Sequence, residues 1–135
     1  MPRAPPFIPV GGSAEVFGIS TDSVYVHKAW HDASPTVQAV AFPLIGDRSG
    51  KLCREFGTYL EDEGAALRGS FIIDPDGIVK ASEIYDHSIG RSAHELFRKL
   101  QAAVRVRDGE GEVCPANWKP GERTLRPSLD LVGKI

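Results

Sequence analysis

The chain has 135 residues, of which 41% are hydrophobic and 25% charged, so it has the size and composition of one globular domain. Its 16 Lys and Arg residues and 18 Asp and Glu residues give a formal net charge of −2, which provides no electrostatic reason to expect nucleic acid or an anionic membrane as a partner. No apolar run is long enough to cross a bilayer, and four prolines interrupt the first ten residues, where a signal peptide would need a continuous apolar stretch. We therefore expect a cytoplasmic protein.

The first half of the chain predicts an alternation of strands and helices. Residues 16–19 form a short apolar run that is typical of a buried strand. The side-chain oxygens of residues 20–22 predict the start of a helix, and Pro35 predicts its end. A second short strand is expected at residues 42–45.

A second helix is expected to begin at about Gly50. Leu52, Phe56 and Leu60 recur at four-residue spacing and would lie on one face of this helix. Gly57 is expected to weaken the helix or to end it early, because glycine is a poor helix former.

The second half predicts a hairpin followed by a helix. Residues 70–73 and 78–84 have strand character, and the turn sequence at residues 74–77 lies between them. Ser92 and Glu95 then form a capping box at the start of a helix with a continuous apolar stripe. The order strand, helix, strand, helix, hairpin, helix predicts an α/β class with a thioredoxin-like fold. We divide the chain into a Pro- and Gly-rich segment 1–14, a partial thioredoxin-like domain 15–107 and a C-terminal arm 108–135.

Two cysteines, Cys53 and Cys114, are too few for the disulfide framework of a small secreted domain. Cys114 lies in the arm, within the string Gly-Glu-Val-Cys-Pro-Ala-Asn-Trp-Lys at residues 111–119. This string resembles the resolving-cysteine segment of typical two-cysteine peroxiredoxins. Further similar stretches lie at residues 18–23, 27–30, 67–74 and 89–92, and residues 129–135 resemble the bacterial alkyl hydroperoxide reductase branch of the family.

The resemblance implies a thioredoxin-like peroxiredoxin fold and a cycle of two thiols. In the family, a peroxidatic thiolate attacks the peroxide, and a resolving thiol from the arm of a partner subunit then forms an intersubunit disulfide. Cys114 matches the resolving cysteine. Arg68 matches the arginine that stabilises the peroxidatic thiolate and the peroxide oxygens. Each residue also has an interpretation without a catalytic role. Cys114 could be an ordinary surface cysteine in a tail, and Arg68 a surface salt-bridge residue next to a strand.

The sequence departs from the family at one place, because it contains no Pro-x-x-x-Thr-x-x-Cys-Pro motif for the peroxidatic cysteine. Cys53 lies in the middle of the predicted domain, where the family places no catalytic cysteine, so we expect it to be a structural residue of a helix. The family's first core strand and active-site helix are missing with the motif. We therefore expect a fold that is incomplete at its N-terminus and weakly stable in isolation, since backbone groups beside the missing strand would be unpaired.

No metal or cofactor is expected. His27 and His31 have the spacing of metal ligands but no third ligand, so we expect ordinary histidines on the helix surface. Residues 46–52 faintly resemble a phosphate-binding loop, but the segment is one residue short and lacks a Ser or Thr after Lys51. Residues 74–77 are fully explained as a turn, since a calcium-binding loop would be longer.

Three interpretations of function remain open at this point. The first is a thiol peroxidase acting on hydrogen peroxide and alkyl hydroperoxides, present as a truncated or frame-shifted chain that is inactive alone. The second is a non-enzymatic subunit that supplies a resolving thiol to an intact peroxiredoxin, and the third is a product without function. The resemblance implies a peroxide substrate, a disulfide reductase of thioredoxin or alkyl hydroperoxide reductase flavoprotein type, and assembly into a homodimer or a larger ring.

Overall fold

A computed structural model describes residues 14–134 of the chain. In chain order they form β1 (Gly18–Ser20), α1 (Val24–Ala33), α2 (Pro35–Gln38), β2 (Leu44–Gly46), α3 (Lys51–Glu55), β3 (Tyr59–Leu60), β4 (Ala65–Ala66), β5 (Arg68–Ile73), β6 (Val79–Tyr85), α4 (Ala93–Asp108) and a single 3-10 turn (Leu129–Leu131). These residues belong to two compact units, one made of residues 14–69 and 84–90 and the other of residues 70–83 and 91–134. None of the helices in this range is long and apolar enough to cross a membrane.

The first unit begins with a strand-helix-strand arrangement. β1 pairs with β2 in parallel, with Gly18 opposite Leu44 and Ser20 opposite Gly46. A parallel pair needs a crossover connection, which α1 and α2 provide. A Cβ atom on Gly18 would lie 2.8 Å from Leu44 Cδ2, so a larger residue here would have to displace the Leu44 side chain. Both strands were predicted in the correct order, and each begins two residues later than expected.

The start of α1 differs from the prediction by one residue. Ser23, and not a residue of the segment 20–22, is the N-cap, and its side chain accepts a hydrogen bond from the Val26 N–H at 3.2 Å. Asp22 is engaged elsewhere, since its Oδ2 accepts a hydrogen bond from Ser20 Oγ at 2.9 Å. Pro35 ends α1 as expected and then occupies the first position of α2, where its missing N–H costs nothing.

α3 is shorter than its apolar spacing predicts. Gly57 has φ of 67°, a left-handed conformation that stops the helix, as the sequence suggested. The placement of Leu60 on the helix was wrong, because Leu60 lies in β3 and pairs with Ala65 of β4. This hairpin was not predicted, since strands of two residues are too short to show a periodic pattern.

The β5–β6 hairpin is formed as predicted, and its turn is stabilised by Asp74. The Asp74 Oδ1 atom accepts hydrogen bonds from the backbone N–H groups of Asp76 at 2.9 Å and Ile78 at 3.0 Å. Gly77 has φ of 80°, which glycine adopts at little cost. Residues of this hairpin contribute to both units.

α4 begins at the predicted position, because Ser92 Oγ accepts a hydrogen bond from the Glu95 N–H at 3.2 Å. Within the second unit, Lys99 donates to Glu83 at 2.9 Å, and Arg107 donates to Asp76 at 2.8 Å. These two ion pairs join α4 to the hairpin. No residue of α4 is buried, so its predicted apolar stripe is only partly covered.

The core of the described residues is small. The buried apolar side chains are Val37, Cys53, Ile72 and Trp118. The strands of residues 14–134 form three separate two-stranded sheets rather than one continuous sheet. Weak stability of the isolated chain stays a prediction, and these features agree with its physical basis.

Candidate functional site

Cys114 lies in the arm that folds against α4 within the second unit. Its thiol is partly buried, and the Sγ atom is 3.8 Å from the backbone carbonyl oxygen of Ala102. The neighbouring residue Val113 forms an isolated antiparallel bridge with Leu125, through hydrogen bonds of 2.8 and 2.9 Å. The arm therefore has its own local backbone structure around the cysteine.

The surroundings of Cys114 favour the neutral thiol. Burial raises the pKa of the Cys114 thiol above its ordinary value, and the Glu112 carboxylate adds to the rise. Arg105 and Arg98 act in the opposite direction. A thiol of this kind is a slow nucleophile in its buried position, because the thiolate is the reactive form.

Trp118 is the principal apolar contact of the arm. Its side chain is only 3% exposed, and its indole Nε1 donates to the Glu122 carbonyl oxygen at 3.0 Å. Arg98 of α4 donates from Nη1 to the Trp118 carbonyl oxygen at 2.8 Å. In the sequence, Trp118 is notable only because it lies near Cys114. The structure shows that it is the buried apolar side chain of the described part of the arm.

A second fastening of the arm involves Arg105, Glu112 and Thr124, which we call the clasp. The Glu112 Oε2 atom forms an ion pair with Arg105 Nη2 and accepts a hydrogen bond from Thr124 Oγ1 at 2.6 Å. The hydrogen bond from Thr124 lowers the pKa of the Glu112 carboxyl, and the charges of Arg105 and Arg126 act in the same direction. Sequence reasoning did not find the clasp, because its members lie on three segments with no common periodic pattern.

Arg68 opens β5 in the first unit. Its side chain is exposed, and Nε donates to the backbone carbonyl oxygen of His87 at 3.0 Å. This contact fixes the guanidinium group near the loop that follows β6. Arg68 and Cys114 belong to different units.

Cys53 is a buried residue of α3, as expected from the sequence. Its exposed fraction is 5%, and its backbone N–H donates to Asp47 Oδ2 at 2.9 Å. Burial, and then the Asp47 carboxylate, raise the pKa of the Cys53 thiol. Two effects therefore act against a thiolate at Cys53, which makes it a poor candidate for attack on peroxide.

The same Asp47 accounts for the loop that faintly suggested phosphate binding. Its side chain accepts a hydrogen bond from the backbone N–H of Cys53 in the first turn of α3. The carboxylate engages this donor, and its negative charge disfavours an anion here.

The two helical histidines differ from the sequence interpretation in one respect. His27 is buried, and its Nε2 lies 2.6 Å from Ser20 Oγ, so it is not a surface residue. His31 is exposed, and its Nδ1 atom lies 3.3 Å from Oδ1 of the neighbouring Asp32. Within residues 14–134, no group of three or more His, Cys, Asp or Glu side chains could hold a metal ion.

Comparison with known proteins identifies the family. The model of the AhpC/TSA family matches residues 11–82, which is more than half of the chain. The chain belongs to the AhpC/TSA family. A second family model, the C-terminal domain of 1-Cys peroxiredoxin, matches residues 103–134, which include Cys114 and the clasp.

Several members of the AhpC/TSA family are similar over most of the chain. Alkyl hydroperoxide reductase C of Pseudomonas aeruginosa is 52% identical over 122 residues, which cover 90% of this chain and 65% of that protein. The corresponding protein of Ferdinandcohnia aciditolerans is 54% identical over 121 residues, covering 90% of this chain and 72% of that protein. The chain thus spans about two thirds of the length of these relatives, over their C-terminal portion.

Solved structures give the fold of the AhpC/TSA family. The crystal structure of Enterococcus faecalis AhpC matches with a TM-score of 0.71 and 48% identity, covering 75% of this chain and 60% of that one. The reduced 2-Cys peroxiredoxin of Plasmodium vivax matches with a TM-score of 0.75 and 31% identity, covering 86% and 61%. These similarities confirm both the resemblance to peroxiredoxins and the thioredoxin-like fold, of which this chain has a part.

Proposed function

We propose that this chain acts in a peroxiredoxin-type thiol peroxidase that reduces hydrogen peroxide and alkyl hydroperoxides, and that Cys114 is its resolving thiol. The observation that carries the proposal is the environment of Cys114: a partly buried thiol with a raised pKa, in an arm fastened to α4. Such a thiol is protected from direct oxidation, since attack on peroxide requires the thiolate. As in the peroxiredoxins that the arm resembles, its proposed reaction partner is a sulfur that has already been oxidised.

The proposed chemistry has three balanced steps. A peroxidatic thiolate attacks the O–O bond of the peroxide, becomes a sulfenic acid and releases water or an alcohol. The Cys114 thiol then attacks the sulfenic sulfur, and water leaves as the intersubunit disulfide forms. A dithiol protein of thioredoxin type, or a flavoprotein reductase, exchanges with this disulfide and is oxidised as both thiols are restored.

The 135 residues contain no Pro-x-x-x-Thr-x-x-Cys-Pro motif, so they do not themselves supply the peroxidatic thiolate of this proposal. Residues 15–107 then form the partial thioredoxin-like domain and residues 108–135 the arm. We expect the purified chain to consume no hydrogen peroxide above background in the presence of a thiol reductant. Turnover by the chain alone would show that one of its own residues attacks peroxide.

A crosslinking experiment tests the role of Cys114. The chain is mixed with an intact peroxiredoxin, treated with an equimolar amount of hydrogen peroxide and analysed by non-reducing electrophoresis. We expect a disulfide-linked heterodimer with the unchanged chain and with Cys53→Ser, and none with Cys114→Ser. Absence of the heterodimer with the unchanged chain would contradict the proposal, and its persistence in Cys114→Ser would assign the reaction to Cys53.

Arg68 is proposed to stabilise the peroxidatic thiolate and the peroxide oxygens through its fixed positive charge. The contact of its Nε with the His87 carbonyl oxygen supports this role, because it orients the guanidinium group. We expect peroxide turnover of the chain reconstituted with a separate polypeptide that carries the peroxidatic motif to fall strongly in Arg68→Ala. Arg68→Lys, which keeps the charge but loses the planar group, should retain more activity. Equal turnover in Arg68→Ala and the unchanged protein would remove the assignment.

A second candidate is a non-enzymatic subunit that joins an intact peroxiredoxin and supplies only Cys114. It is favoured by the combination of a structured arm and a missing peroxidatic motif. A mixed assembly in which peroxide turnover is unchanged by Arg68→Ala but lost in Cys114→Ser would select this candidate. The proposal also includes assembly into homodimers or rings and a cytoplasmic location. The two free thiols of the described residues agree with a reducing compartment.

A further inference from the structure

The clasp joins three separate segments of the second unit through one oxygen atom. Arg105 lies near the end of α4, Glu112 lies at the start of the arm, and Thr124 lies on the returning segment of the arm. Both partners reach the same Oε2 atom of Glu112. Loss of this carboxylate would therefore remove both contacts of the clasp at once and loosen the arm around Cys114, while Arg98 would still hold Trp118.

Gly109 allows the clasp to close. A Cβ atom at this position would lie 2.7 Å from Arg105 Nη1 and 3.2 Å from Glu112 Oε2. A larger residue here would therefore have to displace the Arg105 guanidinium group from its place in the clasp. The backbone also turns here, since the Glu112 N–H donates to the Gly109 carbonyl oxygen at 3.2 Å.

The clasp surrounds the segment that carries Cys114. Glu112 is two residues before the cysteine, and Thr124 adjoins Leu125, the bridge partner of Val113. The closed arrangement keeps the Cys114 Sγ atom against the Ala102 carbonyl oxygen. When the arm leaves α4, the thiol loses this burial and its thiolate becomes more populated near neutral pH.

We propose that Arg105, Glu112 and Thr124 are positioning residues that set how fast Cys114 reacts. With the clasp closed, Cys114 is shielded, and with the clasp open, it is exposed and more nucleophilic. In the proposed cycle the clasp opens before Cys114 reaches the sulfenic acid. This inference rests on the proposed function for its role in peroxide reduction, but the reactivity of Cys114 can be measured without it.

The test measures alkylation of the full chain by iodoacetamide, with the rate at each cysteine resolved by mass spectrometry. We expect Glu112→Gln to raise the rate at Cys114 about fivefold, which is typical for loss of a charge-assisted contact between partly exposed groups. Glu110→Gln, which removes the same charge from an exposed neighbour, should leave the rate unchanged. High salt should raise the rate of the unchanged chain but not that of Glu112→Gln, since only the former has an ion pair to screen.

A charge-neutral pair of variants separates opening of the clasp from a change in local charge. Thr124→Val removes the hydroxyl donor and should raise the rate about threefold, with the pH–rate profile of Cys114 shifted to lower pH. Thr124→Ser keeps the donor and should behave like the unchanged chain. If Thr124→Val acted only by disturbing local packing, Thr124→Ser would disturb the packing as well and would not keep the alkylation rate of the unchanged chain.

Buried Cys53 serves as an internal control. A faster rate at Cys114 with an unchanged rate at Cys53 supports the proposal. Equal acceleration at both cysteines, or none at Cys114, would overturn it. It would also be overturned if Cys114 of the unchanged chain reacted as fast as the cysteine of a peptide of residues 111–118. The two proposals can also be separated. If the alkylation rates change as expected but no disulfide-linked heterodimer forms in the crosslinking experiment, the result counts against the proposed function alone.

Discussion

Replacement of Trp118 by alanine should destabilise the chain more than replacement of any other aromatic residue within residues 14–134. The Trp118 side chain is 3% exposed, and its indole N–H donates to the Glu122 carbonyl oxygen. Trp30 offers a matched control, because it is the same residue type and is 56% exposed on α1. The two substitutions Trp118→Ala and Trp30→Ala remove the same atoms from environments that differ mainly in burial.

The magnitude follows from the buried area. A buried tryptophan removes about 150–250 Å² from water, which corresponds to roughly 4–6 kcal/mol at about 25 cal/mol per Å². This is an upper value, since the unfolded chain already hides part of that area, and Trp→Ala substitutions in cores typically cost about 3–5 kcal/mol. We expect about 3–4 kcal/mol for Trp118→Ala and under about 1 kcal/mol for Trp30→Ala.

The assay is urea unfolding followed by far-UV circular dichroism, which reports the helices in both variants. Trp118→Phe should lie between the extremes, because it keeps most of the apolar area but loses the hydrogen bond to Glu122, at a cost of about 1–2 kcal/mol. If Trp118→Ala and Trp30→Ala shifted the unfolding midpoint equally, the arm would contribute no packing energy and the reasoning would be refuted.

Three further predictions test local parts of the fold. Ser92→Ala should lower the free energy of unfolding by about 1 kcal/mol, measured by urea unfolding, because it removes the N-cap of α4. Gly50→Ala should cost more, about 2 kcal/mol or above, since Gly50 has φ of 67° and a Cβ atom there would lie 2.4 Å from the Tyr59 ring; an unchanged melting temperature would contradict the geometry. The hydrogen bond from Ile78 is the main cause that lowers the pKa of Asp74, so its contribution is complete above about pH 4 and is lost as the pH falls through the folded-state pKa. The stability difference between the unchanged chain and Asp74→Asn should therefore shrink in thermal melts as the pH is lowered from about 4.

The parts of the fold that the sequence predicted are those with strong local signals. The turn at residues 74–77 contains its own stabilising carboxylate and a glycine in the required conformation, so the hairpin needs no distant contact to be recognised. Ser92 likewise forms its capping hydrogen bond with a residue three positions away. The family resemblance added Cys114 and Arg68 as candidate site residues, which no local pattern marks.

The parts that were missed depend on contacts between distant residues. Leu60 fits the helical spacing, but the left-handed conformation at Gly57 ends α3 first. The burial of His27 depends on a hydrogen bond to Ser20, which lies on another element. The clasp brings Arg105 within reach of Glu112 only after the chain has turned at Gly109, and a one-dimensional pattern does not record that turn.

The parallel pair of β1 and β2 bears on the order in which the molecule acquires its structure. Its partners lie at residues 18–20 and 44–46, with α1 and α2 between them, so closing this pair loses more chain entropy than closing the β5–β6 hairpin. Parallel pairing of distant strands forms slowly, and we expect the β5–β6 hairpin to be protected from amide hydrogen exchange before β1 and β2 during refolding. The edges of β1 and β2 would then stay unpaired while the rest of the chain folds, which leaves them open to pairing with another polypeptide.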